Sequence, residues 1–131
     1  MNVLLSIKPK YANAILNGEK EYEFRKVIFK EKNVEKVYIY SSSPVKKIVG
    51  AFVVGGIIEG HPEQIWNKCQ KKSGIPKEDF FTYFNGSEKG YAIKIDELEP
   101  IKDPIDPRSF NQDFVPPQSF CYFDMPTNGG L

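Results

Sequence analysis

The sequence predicts an α+β fold: a small, curved, mainly antiparallel β-barrel with a first helix after strand 1 and two short helices in mid-chain. Three observations support this prediction. Most segments alternate apolar and polar residues, as half-buried strands do. The strands lack the regular helical crossovers that a parallel doubly wound sheet needs. One long β-branched segment contains Gly50, Gly55 and Gly56, and glycines inside such a segment indicate bulges that curve a sheet.

The N-terminal region predicts a strand, a helix and a second strand. The apolar segment 2–7 reads as a buried strand. Pro9 suits the first turn of a helix, because its missing N–H is not needed there. Tyr11 and Ile15 begin an apolar stripe at helical spacing, and Gly18 suits the left-handed residue that follows a helix. The segment EYEFRK, residues 21–26, then predicts a strand.

The rest of the chain predicts further strands around two helices. Segments 34–43 and 47–60 read as strands, and the first places Val37 and Ile39 on one face and Tyr38 and Tyr40 on the other. Helical periodicity follows over 61–74 and 75–86. Strand patterns return at 89–101 and 116–124, and prolines mark an irregular stretch between them. We expect residues 1–124 to form a single domain and residues 125–131 to be a loose tail.

Composition indicates a globular protein and excludes several classes. The 131 residues carry a net charge of +1, so a uniformly basic nucleic-acid coat is absent. Residues 1–50 hold ten Lys/Arg against five Asp/Glu, whereas residues 51–131 hold eight against twelve. The alternatives for the first third are a basic binding face and a set of solvated lysines. With no bilayer-spanning segment and no signal peptide in the sequence, we expect a cytoplasmic protein without a membrane partner.

The cysteines and the histidine of this sequence do not indicate a metal site or a disulfide. Cys69 and Cys121 lack C-x-x-C spacing, so we expect neither a zinc site nor a disulfide, and both read as packing residues. His61 is the only histidine and directly precedes Pro62, which predicts a residue at the start of a helix. We therefore expect no metal and no cofactor.

The strand 21–26 is unusually charged. The pleat places Tyr22 and Phe24 on one face and Glu23 and Arg25 on the other. One interpretation is an exposed face with weak ion pairs, each worth under about 1 kcal/mol. The other is a polar cleft in which a carboxylate and a guanidinium are held for a ligand.

Lys8 favours the second interpretation. It lies at the N-terminal end of the first helix, where a cation opposes the helix dipole and cannot cap the free N–H groups. A lysine beside those groups is explained if a phosphate or carboxylate binds there. The alternative is a surface lysine that extends into water.

These residues also carry a family resemblance. The segment LSIKPKYANAILNGEKEYEFRK resembles the opening of the ASCH domain family, part of the PUA-like superfamily, with Gly18, Lys20 and Arg25 in a G-x-K-x-x-x-x-R pattern. The blocks YSSSPVKKIVGAFVV, YFNGSEKGYAIKI and PPQSFCYF are similar to later blocks of bacterial and phage members, so the resemblance spans roughly residues 3–123. It implies a PUA-like β-barrel with a cleft beside the first helix that binds RNA or nucleotides.

The resemblance also implies two enzymatic alternatives. One branch of the family is an amidohydrolase that removes the acetyl group from N4-acetylcytidine, using a lysine, a threonine three residues later and a downstream glutamate. Lys20 matches the lysine, whereas Glu23 replaces the threonine. The downstream glutamate has three candidates, Glu59, Glu63 and Glu78. Other members are ribonucleases.

The predicted function is therefore an RNA- or nucleotide-binding module, with an amidohydrolase acting on an acylated nucleoside, or a ribonuclease, as the alternative. The partner is RNA, a nucleotide or a modified nucleoside; a protein partner in the same cleft is a third interpretation, and the oligomeric state stays open. In an enzyme, Lys20 and Glu23 are the predicted catalytic residues. The predicted binding residues are Lys8, Lys20, Glu23, Arg25, Ser42, Lys46 and Gln118.

Overall fold

The structure is a computed structural model that describes residues 1–126. Most of the predicted tail, residues 127–131, lies outside the described residues. Along the chain the elements are β1 (Asn2–Ile7), α1 (Pro9–Leu16), β2 (Tyr22–Arg25), β3 (Lys36–Ser41), β4 (Lys47–Gly60), α2 (Pro62–Cys69), α3 (Lys77–Tyr83), β5 (Gly90–Ile105) and β6 (Phe120–Tyr122), with short 3-10 turns at Gln70–Lys72 and Pro107–Ser109.

One curled sheet contains all six strands, in the order β2-β5-β4-β3-β1-β6. Every neighbouring pair is antiparallel except β1 and β3, which are parallel. That parallel pair requires a crossover, which α1 and β2 provide between the two strands. The fold class is thus confirmed as a half-barrel with three helices, and β2 and β6 are its two edges.

Both faces of the sheet are covered. On the inner face α1 buries Ala12 and Ile15 against β1, β3 and β4, in a cluster that includes Ile93 of β5. The next cluster lies around Ala92, whose side chain points to the opposite face of β5, and there α2 and α3 pack Trp66 and Phe80 against Phe24 of β2. On the outer face the segment that leads into and beyond β6 packs over Leu4, Tyr40 and Ile48. Tyr40 lies on the face opposite Val37 and Ile39, as predicted, yet it is fully buried because this second layer covers it.

The long strand β4 is bulged where its glycines predicted. The pairing of β4 with β5 shifts register at three places, between Ile48 and Gly50, between Ala51 and Val53, and between Val54 and Ile57. The third shift spans Gly55 and Gly56, and Gly56 has φ +138°, which side-chain-bearing residues rarely adopt. These bulges curl the sheet and bring its two edges toward each other.

Two strand predictions differ from the structure at prolines. Strand β5 continues through Pro104 to Ile105, where an irregular stretch was predicted. Beyond Lys94 β5 pairs only with β4 among the described strands, so a proline N atom at its free edge costs no ladder hydrogen bond. In the other case Pro116 and Pro117 precede β6, which is only three residues long rather than the predicted nine.

The described residues contain no helix that is both long and apolar enough to cross a membrane.

Candidate functional site

A cleft of about 1000 Å³ opens beside α1, where the curled sheet leaves a gap between its edges. The start of α1, strand β2, helix α3 and the segment before β6 line it. Six of the seven predicted binding residues meet there: Lys8, Lys20, Glu23, Arg25, Ser42 and Gln118. The seventh, Lys46, is exposed in the loop between β3 and β4 and does not line the cleft.

Lys20 is the most deeply buried cation of this cleft, with 3% of its surface exposed. Its ammonium Nζ donates a hydrogen bond of 2.9 Å to the carbonyl oxygen of Ser73 and lies 4.5 Å from the centre of the Phe24 ring. Burial lowers the pKa of Lys20, while the charge of Glu23, with Oε1 3.9 Å from Nζ, opposes that shift. A lysine in these surroundings loses its proton more readily than a solvated one.

Arg25 spans the gap between the two sheet edges. Its Nη1 lies 3.1 Å from Glu23 Oε2, on the same strand, and 3.4 Å from the carbonyl oxygen of Ser6 in β1. Its Nη2 donates to Ser119 Oγ, directly before β6. One guanidinium therefore links β2 to β1 and to the start of β6, and it fixes the width of the cleft.

The same guanidinium keeps one unused donor. Arg25 Nε is buried and has no hydrogen-bond partner among the described residues. An unsatisfied buried donor costs roughly 1–3 kcal/mol, which the surrounding contacts offset. The terminal nitrogens of Arg25 thus hold the side chain in place, whereas its Nε donor has no partner among the described residues.

Lys8 occupies the N-cap position of α1, as predicted. Its side chain is exposed and makes no capping hydrogen bond, and the first turn of α1 contains no acidic residue. The positive end of the helix dipole and the lysine charge therefore face the same part of the cleft, an arrangement that attracts an anion.

The remaining lining residues add both polarity and apolar surface. Ser42 is half-buried and Gln118 is exposed. The lining also contains Lys26 and Asp79, so its four cationic side chains outnumber its two carboxylates, those of Glu23 and Asp79. Val27 and Tyr83 are 61% and 38% exposed and add apolar surface to the lining, and Lys26 Nζ lies 4.9 Å from the centre of the Tyr83 ring.

The residues that position the site were less predictable than the charges themselves. Ser73 lies 53 positions from Lys20, and Ser119 lies 94 positions from Arg25. Ser6 and Ser73 act through backbone carbonyls, which every residue has, so no residue type signals them. Ser119 is not among the predicted binding residues, although it directly follows Gln118, which is.

The histidine and the two cysteines do not line this cleft. His61 caps α2, since its Nδ1 accepts a hydrogen bond from the backbone N–H of Glu63. No group of three or more His, Cys, Asp or Glu side chains within residues 1–126 is placed to hold a metal ion. A smaller hollow of about 420 Å³, lined by Tyr22 and residues 67–72, contains none of the predicted site residues.

Comparison with known proteins identifies the family. The ASCH domain profile matches residues 5–102. The chain is 29% identical over 122 residues to the ASCH domain-containing ribonuclease of Zymomonas mobilis. This alignment covers 91% of this chain and 82% of that protein. It is 31% identical over 110 residues to large ribosomal subunit protein uL22 of Ureaplasma parvum, covering 83% of this chain but only 35% of that protein.

A solved structure agrees with this assignment. The crystal structure of ASCH from Zymomonas mobilis superimposes with a TM-score of 0.86 at 28% identity, over 94% of this chain and 87% of that chain. A crystal structure of a tyrosine-to-phenylalanine mutant of the same protein gives a TM-score of 0.86 at 27% identity, over 94% of this chain and 90% of that one. The chain therefore belongs to the ASCH domain family.

Proposed function

We propose that this protein binds RNA in the cleft beside α1. The observation that carries the proposal is the convergence of Lys8, Lys20 and Arg25 on one hollow of about 1000 Å³. Phosphate contacts supply most of the sequence-independent affinity of RNA-binding proteins, and lysine and arginine are the residues that make them. The exposed Lys8 and the dipole of α1 offer the first phosphate contact.

The rest of the cleft suits the nucleoside. Tyr83 and Val27 present exposed apolar surface on which a base can stack, and Gln118 is positioned to hydrogen-bond a base edge. Glu23 is an acceptor for a base amine, although Arg25 already occupies its Oε2. The name of the Zymomonas relative, an ASCH domain-containing ribonuclease, supports RNA as the ligand class.

Lys8 gives the most direct test, because its side chain is exposed and makes no capping hydrogen bond to α1. With a fluorescent RNA oligonucleotide, we expect Lys8→Gln to weaken binding about fivefold at low salt and to reduce the slope of log affinity against log salt by about 0.7. Lys102→Gln is the matched control, since it removes the same charge from an exposed position outside the cleft. Equal affinities of the two variants would contradict the proposal.

Cleavage of the bound RNA is the second candidate, and the surroundings of Lys20 favour it. A neutral Lys20 amine would accept the proton of a ribose 2′-OH, whose oxygen then attacks the adjacent phosphorus. The 5′-oxygen leaves and takes up a proton, and a 2′,3′-cyclic phosphate forms. Arg25 would stabilise the charge that develops on the phosphoryl oxygens.

Replacing the 2′-OH separates binding from cleavage. Under this mechanism a fully 2′-deoxy oligonucleotide binds the cleft but is not cut, whereas the RNA of the same sequence yields a cyclic phosphate. Lys20→Gln should weaken RNA binding about tenfold, the effect of one lost charge-assisted contact, and should abolish the cut even at RNA concentrations that saturate the variant. Hydrolysis of N4-acetylcytidine without RNA cleavage would instead support the amidohydrolase alternative.

A further inference from the structure

The linker between α2 and α3 approaches Lys20 unusually closely. The carbonyl oxygen of Ser73 accepts the hydrogen bond from Lys20 Nζ. The next residue, Gly74, has φ +64°, and a Cβ atom added to it would lie 2.4 Å from Lys20 Cβ and 2.8 Å from Lys20 Cα. A side chain at position 74 would therefore displace Lys20 itself, because the atoms it meets belong to the backbone and the root of the side chain.

The linker is fixed on both sides of this contact. Ser73 is 3% exposed, and its Oγ lies 3.0 Å from the carbonyl oxygen of Gln70 and 3.2 Å from that of Ile75. The hydroxyl can donate its hydrogen bond to either of them. The backbone N–H of Glu21 donates to the carbonyl oxygen of Lys72 at 2.9 Å. The backbone on either side of the contact is therefore tied down, and the Ser73 carbonyl has little freedom to follow Lys20 elsewhere.

The contact with Ser73 leaves hydrogen-bond donors of the Lys20 ammonium available for a ligand. An ammonium group has three donors, and the described residues hydrogen-bond only one of them, through Ser73. Glu23 Oε1, at 3.9 Å from Nζ, is within ion-pair distance but beyond a hydrogen bond. The Ser73 carbonyl thus orients Lys20 without using all of its donors.

We propose that the Ser73–Gly74 turn is a positioning element that holds the Lys20 ammonium at the wall of the cleft. The turn acts through Lys20 and need not touch the ligand. Its significance for RNA rests on the proposed function, whereas the positioning of Lys20 does not. Position 74 must then be glycine for two reasons, its left-handed backbone and the space that Lys20 occupies.

The chain supplies a control that separates these two reasons. Gly86 has φ +82°, close to that of Gly74, but a Cβ atom there would meet nothing within 4 Å. Gly74→Ala and Gly86→Ala therefore share the backbone strain of alanine at positive φ. Only Gly74→Ala forces Lys20 to move.

The first readout is the pKa of Lys20, measured from the NMR shift of its Cε, assigned through bonds from the backbone. In the wild type we expect a value below 10.5, the ordinary lysine value, because of burial. In Gly74→Ala we expect it to rise toward 10.5 as the ammonium moves into water, and in Gly86→Ala to stay at the wild-type value. Ser73→Ala, which removes the Oγ hydrogen bond but adds no atom, should shift it in the same direction and serves if Gly74→Ala does not fold.

The second readout is affinity for a short RNA, measured where each variant is fully folded. We expect Gly74→Ala to lose about tenfold, the effect of one lost charge-assisted contact, and Gly86→Ala to match the wild type. An unchanged Lys20 pKa in both Gly74→Ala and Ser73→Ala would overturn the positioning role. If the wild type does not bind RNA, the proposed function fails, yet the pKa comparison still decides whether the turn positions Lys20.

Discussion

At the scale of single residues, Glu23 is the centre of the site. It is a carboxylate with 6% of its surface exposed, and it faces Lys20 on one oxygen and Arg25 on the other. Burying such a group is costly unless charge and hydrogen bonds compensate, and here two cations do so. The three side chains together carry a charge of +1, so the cleft remains attractive to an anion while its carboxylate is neutralised.

Removal of the Glu23 charge tests this view. Glu23→Gln leaves Lys20 and Arg25 buried without a counter-charge, so we expect the free energy of unfolding to fall by about 3 kcal/mol. The pKa of Lys20 should fall further, because the charge of Glu23 is what opposes its lowering. Urea unfolding checks the first effect. Glu21→Gln is the control: Glu21 pairs with Lys72 at the surface, at 3.2 Å, and should cost less than about 1 kcal/mol.

Cys69 gives a second prediction at this scale. Burial raises the pKa of its thiol from 9.0 to about 11. Between these values the unfolded thiol ionises while the folded one stays protonated, so its contribution to stability is complete below pH 9 and is lost as the pH rises toward 11. Relative to Cys69→Ala, the wild type should lose on the order of 2 kcal/mol over that range in denaturant titrations. A constant difference between the two proteins would contradict the raised pKa.

At the scale of elements, the N-terminal cap of helix α2 shows what a residue predicted at a helix start does in the structure. His61 precedes Pro62 in the sequence, and in the structure it closes a capping box: its Nδ1 accepts from Glu63 N–H, and Gln64 Oε1 accepts from His61 N–H. We expect His61→Ala to lower stability by about 1 kcal/mol and His61→Asn, whose side-chain oxygen restores the acceptor, to retain it. Thermal melts of both variants measure the difference, and equal losses would show that the cap contributes nothing.

Elements with a clear periodicity could be predicted from the sequence, and those governed by position in the sheet could not. Strand β1 and the start of α1 follow from apolar spacing and Pro9, and Gly18 has the predicted left-handed backbone, φ +85°. The continuation of β5 through Pro104 depends on that strand having one free edge, which is a property of the assembled sheet. No pattern within residues 102–105 carries this information.

At the scale of the whole molecule, the site is produced by the curl of the sheet. Local sequence predicts that Lys8, Lys20, Glu23 and Arg25 lie near the first helix, because they flank it along the chain. It does not predict the other walls, since Ser73, Tyr83 and Ser119 come from distant segments. Their approach depends on the bulges of β4 and on α3 packing against β2.

Arg25 links the two edges of the half-barrel, which predicts a coupling between them. Ser119→Ala removes the acceptor of Nη2 at the start of β6. We expect faster amide hydrogen exchange in β6 and little change in β3 at the centre of the sheet. Glu88→Ala, at an exposed position outside the cleft and outside the strands, is the control and should leave β6 exchange unchanged. The same rate of β6 amide exchange in the wild type and in Ser119→Ala would contradict a linking role for Arg25.

The most direct test of RNA binding in this cleft is an NMR titration of the ¹⁵N-labelled protein with a short RNA oligonucleotide. We expect the largest saturable amide shifts at residues 6–8, 20–27 and 118–119 and at Tyr83, with small shifts in the outer-face residues 110–114. Shifts confined to other surfaces, or a protein that shows none at RNA concentrations in the millimolar range, would contradict it.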